Sequence, residues 1–168
     1  MPPKSKGVSN EILGLAGEYA VASEICRRGF YAQIAYGRWK NIDVIAVNPE
    51  TGRAVVVEVK TKQGDAWPAV KGVKGKNRLL VLVDYQGKDL NKRPDFYVLD
   101  EGDWQECLSS LKAKYGSVEI RDGYVPVWPS KTGKRPYIGA TLYVSDVKAH
   151  KDRWDKLVDR LKQPPLQS

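Results

Sequence analysis

The stretch AVVVEVKTK, residues 54–62, predicts a strand over 54–61 whose character changes along its length. Its three consecutive valines are typical of a buried strand. Glu58 and Lys60 then stand two residues apart, and in an extended chain such residues project from the same face. An acid and an amine side by side on an apolar strand form either a surface ion pair, worth less than about 1 kcal/mol, or part of a functional site.

A second strand is predicted over NIDVIAVN (41–48), and NPETG (48–52) should join it to the first as a tight turn. Asp43 lies inside this second strand, where a charge is costly unless it meets solvent, a partner or a metal. Pairing in a hairpin brings residues to about 5 Å across the ladder or near each other diagonally. We therefore expect Asp43 and Glu58 to converge.

Two converging carboxylates repel each other, and a hard cation such as Mg²⁺ relieves that repulsion. Magnesium prefers oxygen ligands and keeps several waters, so two protein carboxylates and a phosphate oxygen make a suitable site. Lys60, beside Glu58, could hold or deprotonate an attacking water, or neutralise charge that grows on a phosphorus centre.

A helix is predicted from Ser9 or Asn10 to about Arg28, because Ser and Asn are good N-caps and Gly29 is a usual C-terminal signal. Gly14 and Gly17 lower its propensity, which predicts that its backbone approaches a neighbouring element closely. Its inward face is expected to carry the apolar residues at helical spacing: Ile12, Leu15, Ala16, Tyr19, Ala22 and Cys26. Glu18 flanks this face, from where it could reach the pocket of Asp43 and Glu58.

The remaining elements complete one α/β domain. Further strands are predicted over 30–37, 79–85 and 95–99, and helices over 102–116 and 145–162. The helix over 145–162 should bury one stripe: Val147, Trp154, Leu157, Val158 and Leu161. Segments 62–77 and 124–136 are expected to be irregular, the first with at most a short helix. The domain is expected to span residues 10–162, between a flexible basic arm (1–9) and a frayed tail (163–168).

The formal charge of +8 makes polyanions plausible partners, nucleic acid first among them. Lysines and arginines that contact phosphates add salt-sensitive affinity without reading sequence. The alternative is a basic loop that is only solvated. The candidates form two groups: Lys62, Lys71, Lys74, Lys76 and Arg78 after the predicted catalytic strand, and Lys131, Lys134 and Arg135 further on. Trp67 could stack on a base or pack against its own protein.

Other classes of function have little support in the composition. No run approaches the roughly 18 apolar residues of a membrane span, and the N-terminal MPPKSKGVSNE lacks the apolar stretch of a secretory signal. We therefore expect a cytoplasmic protein that contacts no membrane. Cys26 and Cys107 are expected to be reduced thiols, and a zinc site is disfavoured because His150 is the single histidine.

A helix with Glu18, then strands, then Asp43, fourteen intervening residues and Glu58-Val59-Lys60 resembles the PD-(D/E)xK nuclease superfamily. Within it, the chain is most similar to small members, the archaeal Holliday-junction resolvase-like and uncharacterised endonuclease-like proteins. The resemblance covers residues 10 to about 100. Ile42 stands where the literal motif has proline.

The resemblance implies an α/β, restriction-endonuclease-like αβββαβ core with a mixed central sheet flanked by helices. It implies that Asp43 and Glu58 bind the metal, with the Val59 carbonyl as a further ligand and Glu18 as an accessory acid, and that Lys60 is the catalytic lysine. The implied reaction is Mg²⁺-dependent hydrolysis of a DNA phosphodiester, with Mn²⁺ as a substitute.

The role implied by this group is structure-selective cleavage in DNA repair or recombination. A homodimer is expected if the substrate is a four-way junction, since two symmetric cuts need two sites. The alternatives are a catalytically inactive nucleic-acid-binding module and a protein-interaction domain on the same fold.

Overall fold

A five-stranded mixed sheet forms the centre of the protein, whose computed structural model describes residues 7–37 and 40–164. In chain order the elements are α1 (Asn10–Arg27), β1 (Tyr31–Ile34), β2 (Val44–Val47), β3 (Ala54–Lys62), β4 (Ala66–Val70), β5 (Arg78–Asp84), β6 (Asp95–Leu99), α2 (Glu101–Lys114), β7 (Glu119–Arg121), β8 (Val125–Trp128), β9 (Tyr137–Ile138), β10 (Ala140–Tyr143), α3 (Val144–Val147), a 3-10 helix (Lys148–His150) and α4 (Asp155–Lys162). Residues 1–6 of the expected basic arm and 165–168 of the expected tail lie outside the described residues.

The central sheet has the strand order β1-β2-β3-β5-β6. All neighbours are antiparallel except β3 and β5, which run parallel. The predicted α/β class, with a mixed sheet flanked by helices, is confirmed. The crossover between the two parallel strands contains β4, and the second long helix of the chain follows β6.

The predicted β2–β3 hairpin is also confirmed. Val44 lies opposite Val57 and Val47 opposite Ala54. The turn closes when the Gly52 amide donates to the Asn48 carbonyl at 2.8 Å. Gly52 has a φ of +71°, a backbone conformation that glycine adopts without steric cost. This hairpin sets which residues of the two strands meet.

The two faces of the sheet bury different partners, because side chains alternate along each strand. On one face Val57 and Val81 pack with α1 and α4. On the other face Leu80 and Leu82 pack with α2 and with the ribbon of β4 and β10. Glu58 shares the second face, since it neighbours Val57 along β3.

Helix α1 buries a different face from the one predicted. Ser9 caps it as expected, accepting from the Ile12 amide at 3.3 Å. Its buried residues are Gly17, Val21, Glu24 and Ile25, whereas Ile12, Leu15, Ala16, Tyr19 and Cys26 are exposed and Ala22 is only partly buried.

Gly17 explains the choice of face in α1. A β-carbon added there would lie 1.9 Å from Thr61 Oγ1, so only glycine lets the helix backbone lie this close to β3. The close approach predicted for Gly17 is therefore confirmed. The same prediction for Gly14 is wrong, since nothing lies within 4 Å of a β-carbon at that position.

Two segments predicted to be irregular contain strands. Within 62–77, β4 pairs with β10, so its partner lies some seventy residues further along the chain. Within 124–136, β8 is the middle strand of a three-stranded sheet with β7 and β9. The pairing of β4 with β10 is too distant to leave a local signal, whereas β8 pairs with the strands next to it in the chain.

The helix predicted over 145–162 is divided into α3, a 3-10 turn and α4. Lys151 bridges to Tyr97, and the Asp152 amide donates to the Phe96 carbonyl at 2.9 Å. These contacts with β6 take the chain out of the helical path. The predicted apolar stripe is consequently divided, with Val147 in one core and Trp154 in the other.

Candidate functional site

Glu58 and Lys60 form an ion pair on β3. Lys60 Nζ lies 3.2 Å from Glu58 Oε1, with 37% of the lysine side chain exposed and 7% of the glutamate side chain. Burial raises the pKa of Glu58, and the charge of Asp43 raises it further, while Lys60 and Lys71 oppose the rise. Glu58 is therefore a desolvated carboxylate whose charge is incompletely compensated.

Asp43 directly precedes β2 and is hydrogen-bonded to the backbone of β3. Its amide donates to the Val57 carbonyl at 3.1 Å, and its carboxylate Oδ2 accepts from the Val59 amide at 2.7 Å. Because Val44 lies opposite Val57, Asp43 lies beside Glu58 across the hairpin. The convergence predicted from the turn is present in the structure.

Glu18 approaches the same place from α1. Burial raises the pKa of its carboxyl, and Asp43 adds to the rise while Lys60 opposes it. Glu18 directly follows Gly17, which lies against Thr61. Because Thr61 is the residue after Lys60, this contact brings α1 close to Lys60. The structure thus places Glu18 in the electrostatic neighbourhood of Asp43 and Lys60.

The donor set of this site fits a cation that needs few protein ligands. Within residues 7–37 and 40–164, no group of three or more His, Cys, Asp and Glu side chains lies close enough to hold a metal ion. Asp43 and Glu58 remain as a two-carboxylate pair, and Mg²⁺ is commonly held through one or two carboxylates while it keeps its waters. Val59 is tied to Asp43 through its amide, and a ligand role for its carbonyl stays a prediction.

A cation-lined cleft, here called the basic cleft, opens directly beside Glu58. Its volume is about 260 Å³, and Glu58 is the one acid among the described residues that line it. Lys40, Lys74 and Arg78 line it together with Tyr124. Three cations and one carboxylate around a concave site focus a positive potential that attracts anions such as phosphate.

The first group of predicted basic residues divides in the structure. Lys74 and Arg78 line the basic cleft, and Lys71 lies near enough to Glu58 to lower its pKa. Lys76 is exposed, and its carbonyl accepts from Arg160 Nε at 2.8 Å.

Lys62 has a structural position that does not agree with the predicted phosphate contact. Its side chain is 1% exposed, and its Nζ lies 2.7 Å from Asp84 Oδ1. Nζ also donates to the Gly64 carbonyl and to Gln86 Oε1, both at 3.0 Å. The prediction is wrong for Lys62, because its ammonium is buried and used within the protein.

The second group, Lys131, Lys134 and Arg135, is exposed on the segment between β8 and β9. Tyr124 precedes β8, so this segment leaves the opposite end of that strand from the basic cleft. Trp67, a candidate for base stacking, is buried, and its Nε1 donates to the Val83 carbonyl at 3.0 Å. It packs against its own protein.

Sequence reasoning missed Lys40, Asn41 and Tyr124. Tyr124 is placed by the turn between β7 and β8, in which Asp122 and Gly123 both have positive φ. The dipeptide Asp-Gly is a strong hairpin signal, so this turn was readable from the sequence. Its position next to Glu58 was not, because the two are far apart along the chain.

Comparisons with models of protein families and with curated proteins found no match. Among solved structures, the chain is similar to a bacterial homing endonuclease, I-Ssp6803I, over 91% of this chain and 95% of that chain. The identity is 14% and the TM-score 0.48, and no inference about function rests on a likeness of this size. No described helix combines the length and apolar character needed to cross a membrane.

Proposed function

We propose that this chain is a metal-dependent DNA endonuclease of the PD-(D/E)xK type. One observation carries the proposal: Asp43 is bonded to the backbone of β3 beside Glu58, and Glu58 pairs with Lys60, at the edge of the basic cleft. A carboxylate pair, an ammonium and a phosphate-attracting surface in one place are the components that hydrolysis of a phosphodiester needs.

Asp43 and Glu58 would hold Mg²⁺ or Mn²⁺, and the bound ion would polarise the phosphoryl oxygen and activate water. The ammonium of Lys60 would stabilise negative charge on the phosphate during attack. Glu18, with its raised pKa, is suited to exchange a proton with a water at the edge of the site. The cations of the basic cleft would hold the substrate backbone.

The test is cleavage of branched, nicked and linear DNA, and of RNA, by the full chain in Mg²⁺, Mn²⁺ or EDTA. We expect cleavage of DNA in either metal and none in EDTA, and we expect Glu58→Gln and Lys60→Met to remove it. A matched control is Lys88→Met, because Lys88 forms an ion pair with Asp95 at a similar 3.1 Å, remote from Glu58 in the sheet.

The same assay addresses the finer parts of the proposal. A junction preference predicts that four-way DNA is cut faster than linear duplex of the same sequence. It also predicts a homodimer, which light scattering measures directly. Uniform cutting of all DNA forms by a monomer would leave the endonuclease proposal standing and remove the role in recombination.

A catalytically inactive nucleic-acid-binding module is the second candidate. It is favoured by the lack, within the described residues, of a group of three potential metal-ligating side chains. It predicts binding of DNA that weakens steeply with salt, without cleavage in any metal. A protein-interaction domain would show no binding of nucleic acid even at low salt.

A further inference from the structure

The turn that brings Tyr124 to the basic cleft is held in place by three hydrogen bonds. Lys74 Nζ donates to the Asp122 carbonyl at 3.0 Å, and Gln105 Nε2 donates to the Gly123 carbonyl at 3.0 Å. Trp104 Nε1, from the buried core, donates to the Tyr124 carbonyl at 2.7 Å. The turn that carries Tyr124 is therefore fixed from α2 and from the segment before β5.

Tyr124 packs against the core and also lines the basic cleft. Tyr124 is half-buried, and it borders the open cleft. Lys74 Nζ lies 5.9 Å from the centroid of its ring. An aromatic ring beside an ammonium offers a flat surface on which a base can stack while the cation meets the attached phosphate.

Arg78 supplies a second phosphate donor in the basic cleft. Its Nη1 donates to the Asn41 carbonyl at 3.3 Å, which holds the guanidinium in place. Among residues 7–37 and 40–164, its other N–H groups have no partner and are open to a ligand. A guanidinium held in this way binds a phosphate through two parallel hydrogen bonds. Asn41 lies two residues before Asp43, so Arg78 is tied to the segment that carries the proposed metal ligand.

The size of the basic cleft decides what can enter it. At about 260 Å³ it lies just below the roughly 300–1,000 Å³ of most small-molecule sites. It cannot contain a duplex, whose stacked bases would remain outside. One nucleotide that has left the stack can enter, with its phosphate among the cations.

We propose that the basic cleft binds one unstacked nucleotide of the substrate strand, with Arg78 and Lys74 on its phosphate and Tyr124 against its base. The proposal rests on the proposed function in one respect, that the strand bound here is the strand cut beside Glu58 and Lys60. It makes the enzyme selective for DNA that has an unpaired nucleotide next to the scissile bond.

The first test measures binding without catalysis, in EDTA, by amide chemical shifts of the full chain. The probes are thymidine 5′-monophosphate, thymidine and inorganic phosphate. We expect the monophosphate to shift the amides of Gly72 and Gly123 and to bind at least tenfold more tightly than either fragment. Equal affinities for the monophosphate and phosphate, or shifts confined to other surfaces, would overturn the proposal.

Substitutions assign the two halves of the site. Tyr124→Leu should lower affinity for the monophosphate by about 5- to 100-fold, as expected for the loss of one base stack, and leave phosphate binding unchanged. Arg78→Gln keeps a donor for the Asn41 carbonyl and should weaken both ligands. Lys92→Gln is the matched control and should change neither, because Lys92 is exposed in the turn between β5 and β6, at the other end of β5 from Arg78.

Cleavage then separates this inference from the proposed function. The wild type should cut a duplex with one unpaired nucleotide at least tenfold faster than the fully paired duplex, and Tyr124→Leu should remove that preference. Nucleotide binding without cleavage in any metal would sustain the inference and remove the endonuclease proposal. Glu58-dependent cleavage that does not respond to unpaired nucleotides or to Tyr124→Leu would sustain the endonuclease proposal and overturn this inference.

Discussion

Two glutamates of this protein are almost equally buried, yet their pKa values are shifted in opposite directions. Glu24 on α1 is 4% exposed and Glu58 on β3 is 6% exposed, and both face cations. Hydrogen bonds from Arg93 and then Arg28 lower the pKa of Glu24 to about 2, against the cost of its burial. Burial and the charge of Asp43 raise the pKa of Glu58.

The number of donors explains the difference. Arg93 Nε and Nη2 meet the two oxygens of Glu24 at 3.0 and 2.8 Å, while Arg27 and Arg28 add further bonds at 3.0 and 2.8 Å. Among the described residues Glu58 has one ion-pair partner, Lys60. Glu24 is fully used within the protein, whereas the carboxylate of Glu58 has few donors, and this difference makes Glu58 the candidate for a functional role.

The largest expected effect concerns activity. Glu58→Gln should lower the rate of DNA cleavage by roughly 100- to 1,000-fold or more, as removal of a group that acts on the transition state does. Glu24→Gln should change the rate less than threefold, because its carboxylate is used within the protein. Single-turnover rates at a temperature where both variants remain folded measure this, and equal losses in the two variants would contradict the comparison.

The next effect is on stability. Glu24→Gln should destabilise the fold by about 2 kcal/mol at neutral pH, less than its full pKa shift implies because the arginines remain partly solvated. Since the pKa of Glu24 in the folded state is about 2, below its ordinary 4.5, the stabilisation is present above pH 4.5. It should disappear as the pH falls towards 2. Urea unfolding of both proteins across this range gives the difference, and a constant difference down to pH 2 would refute the assignment.

Glu58→Gln should stabilise the fold at neutral pH, by less than Glu24→Gln destabilises it. The folded state holds the Glu58 proton more tightly than the unfolded chain does, so stability falls as the pH rises from 4.5 through the raised pKa. In EDTA the variant should therefore unfold at a higher temperature than the wild type at neutral pH, and at the same temperature below pH 4. Asp84→Asn, which leaves buried Lys62 without its carboxylate partner, is the contrasting control and should be destabilising.

The parts of this comparison that sequence could predict are local ones. Period-two alternation placed Glu58 and Lys60 on one face, and the turn at 48–52 placed Asp43 beside them. Both inferences need only the geometry of a strand and a hairpin. The pairs of Glu24 with Arg27 and Arg28 stand at helical i+3 and i+4 spacing and are local in the same sense. Its strongest partner, Arg93, is 69 residues away and leaves no local signal.

The predictions that were wrong depended on contacts between distant elements. The apolar spacing of Ile12, Leu15 and Tyr19 resembles a buried stripe, yet the glycine contact at Thr61 turned another face of α1 inward. Lys62 was expected to contact phosphate, yet its ammonium is buried against Asp84 on the neighbouring parallel strand. In each case the deciding partner lies on an element whose register local patterns do not specify.

The smallest expected effect is the response of stability to magnesium, and it tests directly whether Glu58 has the free capacity that Glu24 lacks. An ion that binds only the folded state stabilises it by RT ln(1 + [L]/Kd), about 0.4 kcal/mol when its concentration equals Kd. Addition of Mg²⁺ should raise the unfolding temperature of the wild type and of Glu24→Gln by the same small amount, and should not raise that of Glu58→Gln.

Potassium chloride at equal ionic strength separates binding from screening, which weakens exposed ion pairs in all three proteins. Because Lys60 already neutralises part of the charge on Glu58, the ion must compete with an ammonium 3.2 Å away, so the response should strengthen in Lys60→Met. A magnesium response that persists in Glu58→Gln would place the ion elsewhere and remove the distinction between the two glutamates.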